Sequence, residues 1–388
     1  MKANPGGQID LNAVLGRDET IAFIWDTLSQ QSIIMTAERR IGKTTILNKI
    51  ARQPRPGWVP IFQDLEQYGN ALDFAQSVHD AVEKFLSRPQ KLFRSLKTAL
   101  PFFSGTKLGP ITLPDIPGAG WQDILTASLQ AAAQDHKTER AVFLWDEFPY
   151  LLDNIKTNDG ETVAMQVLDT LRALRQTQPN LRMILTGSIG LHHVMKSLKD
   201  ADYKNAPVND MYSILVPTLD PKAAQQLADK LLLGENIAVE NRDSTSRAIA
   251  HAADGFPFYI HHIVKAMKQA NGQATPDVVD DLVSQQLVHP DDPWELKHYV
   301  ERIPLYYGHE QQPMVLGILD AIALCDTALS VNDLLTELKA CGLFTERETL
   351  IEYLGLLEKD HYLSRTPQGH YRFQFALLQR WWKLTRGL

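Results

Sequence analysis

Cysteine is nearly absent: the 388-residue chain has two, Cys325 and Cys341. They form no CxxC and stand near no histidine pair at ligand spacing, which argues against a zinc site, and two thiols make no disulfide framework. Both read as thiols of a reducing compartment. No run approaches the roughly 18 apolar residues of a membrane span. The polar opening Met1 to Asp10, with Pro5, Gly6 and Gly7, lacks the apolar stretch of a signal peptide. The expectation is a cytoplasmic protein without a membrane partner. Excess positive charge is missing too. A net charge of −7 and a pI near 6.0 argue against a protein that coats nucleic acid, and leave room only for a local basic face. HExxH, a serine nucleophile elbow and a Cys–His arrangement are all absent. The histidines come as neighbours, His192-His193 and His261-His262. Adjacent side chains on a helix point about 100° apart and do not readily clamp one ion.

What is present is ordinary for a folded globular chain, with 44% hydrophobic and 22% charged residues. The length predicts two or three domains. Asp18, Ile21, Ile24, Trp25 and Leu28 recur at helical period within 11–30. Short apolar runs of buried-strand type follow: SIIMT from Ser32, Trp58 to Phe62, AVFLW from Ala141, Arg182 to Thr186, and Tyr212 to Val216. Helical patterns separate them at Thr44–Arg52, Leu72–Leu86, Trp121–Ala133 and Thr162–Gln176. This alternation implies an α/β domain with a parallel sheet and helices on both faces. After Pro217 the pattern changes to helices alone as far as Gln286. HPDDP, ending at Pro293, reads as a linker. From Pro313, three helices lead into Tyr362-Leu363 and Tyr371-Arg372-Phe373, the order of a winged helix. The expected domains are an ATPase core over 1–217, a helical lid over 218–290, and a linker plus winged helix over 291–388.

The run Ala37-Glu38-Arg39-Arg40-Ile41-Gly42-Lys43-Thr44-Thr45 lies between the first strand and its helix. It matches the GxxxxGK[ST] phosphate loop in the context that gives the motif meaning. Backbone N–H groups of such a loop converge on phosphate oxygens, and the next helix adds the positive end of its dipole. Lys43 is expected to reach the β- and γ-phosphates of ATP and Thr44 to ligate Mg²⁺. Ala37 stands where the first glycine belongs. If φ there is positive, alanine costs about 1–2 kcal/mol; if negative, almost nothing.

Downstream, the apolar strand AVFLW delivers Asp146 and Glu147 to its end. Asp146 is expected to hold the magnesium hydration shell, and Glu147 to act as general base on the attacking water. Thr186 and Ser188, at the end of the next strand, are the candidates for a polar contact to the γ-phosphate or water. Arg172 and Arg175 are candidates for an arginine finger, a role that competes with a solvated helix face.

These residues together resemble the archaeal-type ATPases of the STAND class (signal-transduction ATPases with numerous domains), within the AAA+ P-loop ATPases and kin to the origin-recognition ATPases. Leu15-Gly16-Arg17-Asp18-Glu19 resembles the family's GRE-type box, with Asp18 for the usual Glu. Ala37 to Thr44 resembles its GxRRxGKT loop, with Ala37 for Gly. LWDEFPYLL, Leu144 to Leu152, is similar to its Walker B segment. Asp254-Gly255-Phe256-Pro257-Phe258-Tyr259 is similar to its GxP motif, and YRFQFALLQRWW to its winged-helix ending. The resemblance implies a nucleotide between core and lid, with Arg17 near the adenine and Pro257 setting the lid's first turn against it. It implies slow ATP hydrolysis working as a switch on a partner protein, and a place in phage defence or regulation; oligomerisation on ATP binding is a further expectation.

The alternative is a DNA-associated, initiator- or transposition-like ATPase. Between Lys84 and Pro114 six basic residues occur with no acid. They read as a solvated helix face, a nucleic-acid or partner contact, or a membrane-surface helix. Against DNA, the recognition-helix region of the winged helix carries Glu346, Glu348 and Glu352, which phosphates would repel.

Overall fold

The computed structural model describes residues 1–7, 9–85, 120–135, 140–187, 190–270 and 272–388. The basic stretch, apart from Lys84, and Ser188 lie outside the described residues. Two compact units emerge. One comprises Arg17–Ala37 and Lys43–Val216; the other comprises Met1–Gly16, Glu38–Gly42 and Pro217–Leu388.

The first unit is built on a five-stranded parallel sheet: β1 (Ile33–Thr36), β2 (Trp58–Asp64), β3 (Arg140–Asp146), β4 (Leu181–Thr186) and β5 (Tyr212–Leu215), in the order β2-β3-β4-β1-β5. Every predicted strand is present. β3 is buried from Ala141 to Asp146, as expected of a strand covered on both faces. Successive side chains leave a strand on opposite sides. Thus Ala141, Phe143 and Trp145 share one core with helices Ala71–Phe85, Trp121–Asp135, Phe148–Asn158 and Glu161–Thr177. Trp145 sits at the centre of that core, 5.3 Å from the ring of Phe74 and 5.4 Å from Phe143. Its indole N–H donates to Gln63 Oε1 at 2.9 Å, so the one polar atom it buries is satisfied.

At the opposite end of the strands from the acid pair, Arg182 donates to the carbonyls of Leu28, Pro179, Leu181 and Gln30. Arg140 donates to that of Ser29. These arginines satisfy carbonyls where helix Asp18–Leu28 ends and where β4 begins.

The second unit is largely helical. Helices Pro221–Glu235, Arg242–Ala252, Pro257–Ala270 and Pro276–Leu287 pack on one another. Three open on side-chain caps from Asp220, Asn241 and Thr275. A short parallel bridge between Val239 and Ala274 adds extended backbone to a stretch expected to be helical throughout. The HPDDP segment runs exposed at His289–Asp291 and is followed by ordered structure. Asp292 accepts from the N–H groups of Leu296 and Lys297, and Trp294 is buried against Tyr259 at 5.3 Å. Helices Gln312–Leu324, Val331–Ala340 and Arg347–Lys359 follow, then the antiparallel pair β6 (Leu363–Arg365) and β7 (Tyr371–Phe373), then helix Ala376–Arg386. Leu329 bridges to Tyr371 beside that pair. Trp381 and Trp382 are buried, as their packing role requires. Arg386, exposed near the end of that helix, pairs with Asp320. The final helix is capped from outside its own chain segment: Asp254 Oδ2 accepts from Leu377 N at 2.6 Å.

Trp145→Ala empties the middle of the sheet's core. The expected cost is about 3–5 kcal/mol of unfolding free energy, measured by chemical denaturation.

Candidate functional site

In a parallel sheet, functional side chains collect at the carboxyl ends of the strands, where the order of connection reverses. Here β4 lies between β1 and β3, with Met35 opposite Thr186 and Trp145 opposite Leu185. That register sets Thr36, Thr186 and Asp146 at neighbouring strand ends.

Helix Lys43–Arg52 begins directly after the loop, so Lys43 and Thr44 occupy its first turn. Lys43 is buried, and its Nζ donates to Ala37 O at 3.1 Å across the loop's base. Thr44 Oγ1 donates to Asp146 Oδ2 at 2.6 Å. Asp146 is buried at the last position of β3, and its other oxygen accepts from Glu147 N at 3.2 Å. Burial raises its pKa, the Thr44 hydrogen bond opposes this, and the neighbouring charges of Glu147 and Lys43 push in opposite directions. A threonine hydroxyl touching a buried carboxylate is a hard-oxygen donor set of the kind magnesium takes. The residues therefore fit the ion that the loop implies.

Glu147 turns the chain. Its φ of 55° and ψ of 30° are left-handed, and helix Phe148–Asn158 starts immediately after with a proline in its first turn. A non-glycine residue held there costs about 1–3 kcal/mol, a strain that gathers at functional sites. The turn separates the directions of two consecutive carboxylates. Gly187 makes room for the second. A Cβ at 187 would meet Pro149 Cδ at 2.7 Å and Glu147 Oε2 at 3.3 Å. Gly187 lies between the two polar candidates, Thr186 and Ser188, and was not itself among them. Its only sequence signal is a glycine immediately after a strand that ends beside the acid pair. Thr186 Oγ1 is buried and has no hydrogen-bond partner among the described residues. A buried hydroxyl without a partner costs stability, so it marks a place where a ligand oxygen or water is expected.

Within the loop, positive φ occurs at Arg40, 65°, and Gly42, 99°, and not at Ala37. The first-glycine departure therefore carries no backbone penalty. The strained position is Arg40, where the left-handed conformation costs about 1–2 kcal/mol. Lys43, Thr44, Asp146, Glu147 and Thr186 are brought together in the first unit. Thr45 follows in the same helix, and Arg17, also in that unit, precedes helix Asp18–Leu28 and is buried. Burial lowers the Arg17 pKa to about 10. Glu38, Arg39, Arg40, Ile41 and Gly42 group with the second unit, as does Pro257, which opens helix Pro257–Ala270.

The two weaker motifs acquire a physical reason in that second unit. Gly16 has φ 65°, and a Cβ on it would meet Ala223 Cβ at 2.6 Å. Gly255 has φ 71°, and a Cβ there would meet Leu219 O at 2.6 Å. Leu219 N donates to Gly255 O at 3.0 Å. Both motif glycines thus serve close approach to the stretch Thr218–Ala223.

Arg175 is not a solvated helix residue. Its Nε donates to Asp210 Oδ2 at 2.9 Å, and a second nitrogen reaches Pro207 O at 2.5 Å. Its side chain is 4% exposed, which removes it from the finger candidates.

The strand order, the phosphate loop and the acid pair give the chain the α/β fold of a P-loop nucleotide-binding protein. No protein-family model matches the chain, and no curated protein sequence does. Among solved structures it is similar to a Walker-type ATPase of Pyrococcus abyssi, with a TM-score of 0.65 and 15% identity over 95% of this chain and 96% of that one. It is also similar to the ORC2 protein of Aeropyrum pernix in its ADPNP-ADP complexes, with a TM-score of 0.50 and 13% identity over 99% of this chain and 96% of that one. At these identities the likeness is one of fold. Among the described residues no helix is long and apolar enough to cross a membrane.

Arg175→Ala strands Asp210. Unfolding free energy is expected to fall by about 2–3 kcal/mol in urea titrations, with nucleotide affinity unchanged.

Proposed function

We propose that the protein binds ATP with Mg²⁺ and hydrolyses it slowly, as a nucleotide-controlled switch on a partner protein. The observation that carries this reading is the 2.6 Å contact of Thr44 with Asp146 beside the buried Lys43. A hydroxyl and a carboxylate from two different elements meet where a phosphate loop needs its ion. Mg²⁺, when bound, offsets phosphate charge and orients the terminal phosphate. Lys43 would exchange its bond to Ala37 O for phosphate oxygens. Glu147, aimed by its turn and by the space at Gly187, would accept a proton from the attacking water. Thr186 would hold that water or a γ-phosphate oxygen. The loop amides over 37–45 would carry the remaining phosphate oxygens, with Arg17 toward the adenine and Pro257 at the first turn of the lid.

The C-terminal elements support a winged helix, with Arg347–Lys359 as its third helix and β6–β7 as its wing. Glu346, Glu348 and Glu352 are exposed, which favours a protein partner over a DNA phosphate backbone. A cytoplasmic location and oligomerisation on ATP binding belong to the same reading. A DNA-associated ATPase remains the second reading, resting on the basic stretch. Steep salt-dependent affinity for DNA would favour it, and no DNA binding at low salt would remove it.

Three variants test the site. Lys43→Ala is expected to lose nucleotide binding. Glu147→Gln is expected to keep it while phosphate release falls by about 10²-fold or more. Gly187→Ala is expected to keep affinity and slow hydrolysis, because the added methyl displaces Pro149 or Glu147. An unchanged hydrolysis rate in Glu147→Gln would overturn its assignment as base.

A further inference from the structure

The phosphate loop carries three consecutive charged side chains, and all three are engaged by one stretch of the second unit. Arg40 Nε donates to Glu295 Oε2 at 3.0 Å, and its terminal nitrogen contacts Glu295 Oε1. Arg39 lies 3.3 Å from the same carboxylate. Glu38 Oε1 accepts from Arg39 N at 2.9 Å and stands 3.6 Å from the Arg302 guanidinium and 4.0 Å from His298 Nε2. The Arg40 guanidinium also stacks over Phe258 at 4.7 Å.

The receiving stretch is itself fixed. Asp292 caps Leu296 and Lys297, Trp294 is buried, and Glu295 sits at φ 55°, so its carboxylate is presented by a strained turn. Arg302 donates onward to Tyr362 Oη at 2.9 Å and to Asp360 O at 2.6 Å, and Tyr307 Oη donates to Asp360 Oδ2 at 2.5 Å. Burial pushes the Glu38 pKa up, but Arg302, His298 and His361 outweigh it and bring it down to about 2, so the carboxylate is charged at neutral pH.

We infer that Glu295 is a positioning residue of the phosphate loop, holding Arg39 and Arg40 so that the segment 292–302 both sets nucleotide affinity and registers occupancy of the loop. The inference rests on the nucleotide-site reading above. Convergent loop amides bind phosphate only while the loop's backbone is held, and Arg40, the left-handed position, is the residue that Glu295 clamps. The pair is half-exposed, so solvent screens it and the effect is modest.

The test measures MgADP affinity of the full chain by calorimetry for wild type, Glu295→Gln, Glu295→Arg, Arg40→Glu, the exchanged pair Arg40→Glu/Glu295→Arg, and Lys43→Ala. Hydrogen exchange over 296–307, with and without MgADP, is read on the same samples. Glu295→Gln is expected to weaken binding about fivefold, and Glu295→Arg more. The exchanged pair is expected to recover most of the loss. MgADP is expected to slow exchange over 296–307 in wild type but not in Glu295→Gln. Wild-type affinity in both Glu295 variants, or losses that the exchanged pair does not recover, would overturn the inference while Lys43→Ala still shows a nucleotide site. If wild type binds no MgADP, or Lys43→Ala binds it as tightly as wild type, the nucleotide-site reading falls and takes this inference with it.

Discussion

The parallel pairing of β4 between β1 and β3 is the constraint on which the candidate site depends. It brings the strand that feeds the phosphate loop and the strand that ends in the acid pair to one edge, with a third strand end between them. The hydrogen bond from Thr44 to Asp146 closes the gap between elements 102 positions apart. Burial makes that contact consequential. A carboxylate in a poorly solvated place is costly to keep ionised, and a neighbouring hydroxyl, an ammonium or a divalent ion lowers that cost.

Strain in the first unit is placed where chemistry is expected. Glu147 holds a left-handed conformation, and the helix that follows is started by Pro149 rather than by a side-chain cap. The rigid turn separates two adjacent acids, so one faces Thr44 and the other can serve a different role. Gly187 is the complement of that turn, because only a residue without a side chain leaves Pro149 and Glu147 where they are.

The second unit shows a different economy. Its polar residues are buried in a connected group, with Arg302 at the centre between Glu38, Tyr362 and the Asp360 carbonyl. A buried guanidinium is tolerated when its donors are met by charge and carbonyl oxygen together. The close approaches at Gly16 and Gly255 converge on Thr218–Ala223, so two short motifs far apart in the chain turn out to serve one packing requirement.

Local residue patterns alone are enough to locate the strands, the phosphate loop and the acid pair. Each of these is a local pattern: an apolar run of strand length, a glycine-lysine-threonine between strand and helix, two acids at a strand's end. They also show that the chain turns mostly helical after Pro217 and carries a hairpin at Tyr362–Phe373. The remaining features depend on partners distant in the chain. That Ala37 is harmless and Arg40 is the strained loop residue follows from backbone conformation, which no residue type announces. The pairing of Arg175 with Asp210, the burial of Trp294 against Tyr259, and the gathering of Glu38, Arg39 and Arg40 onto Glu295 and Arg302 are contacts between separated segments. A charged side chain reads the same in sequence whether it meets water or a buried partner, and only the packed chain chooses between them.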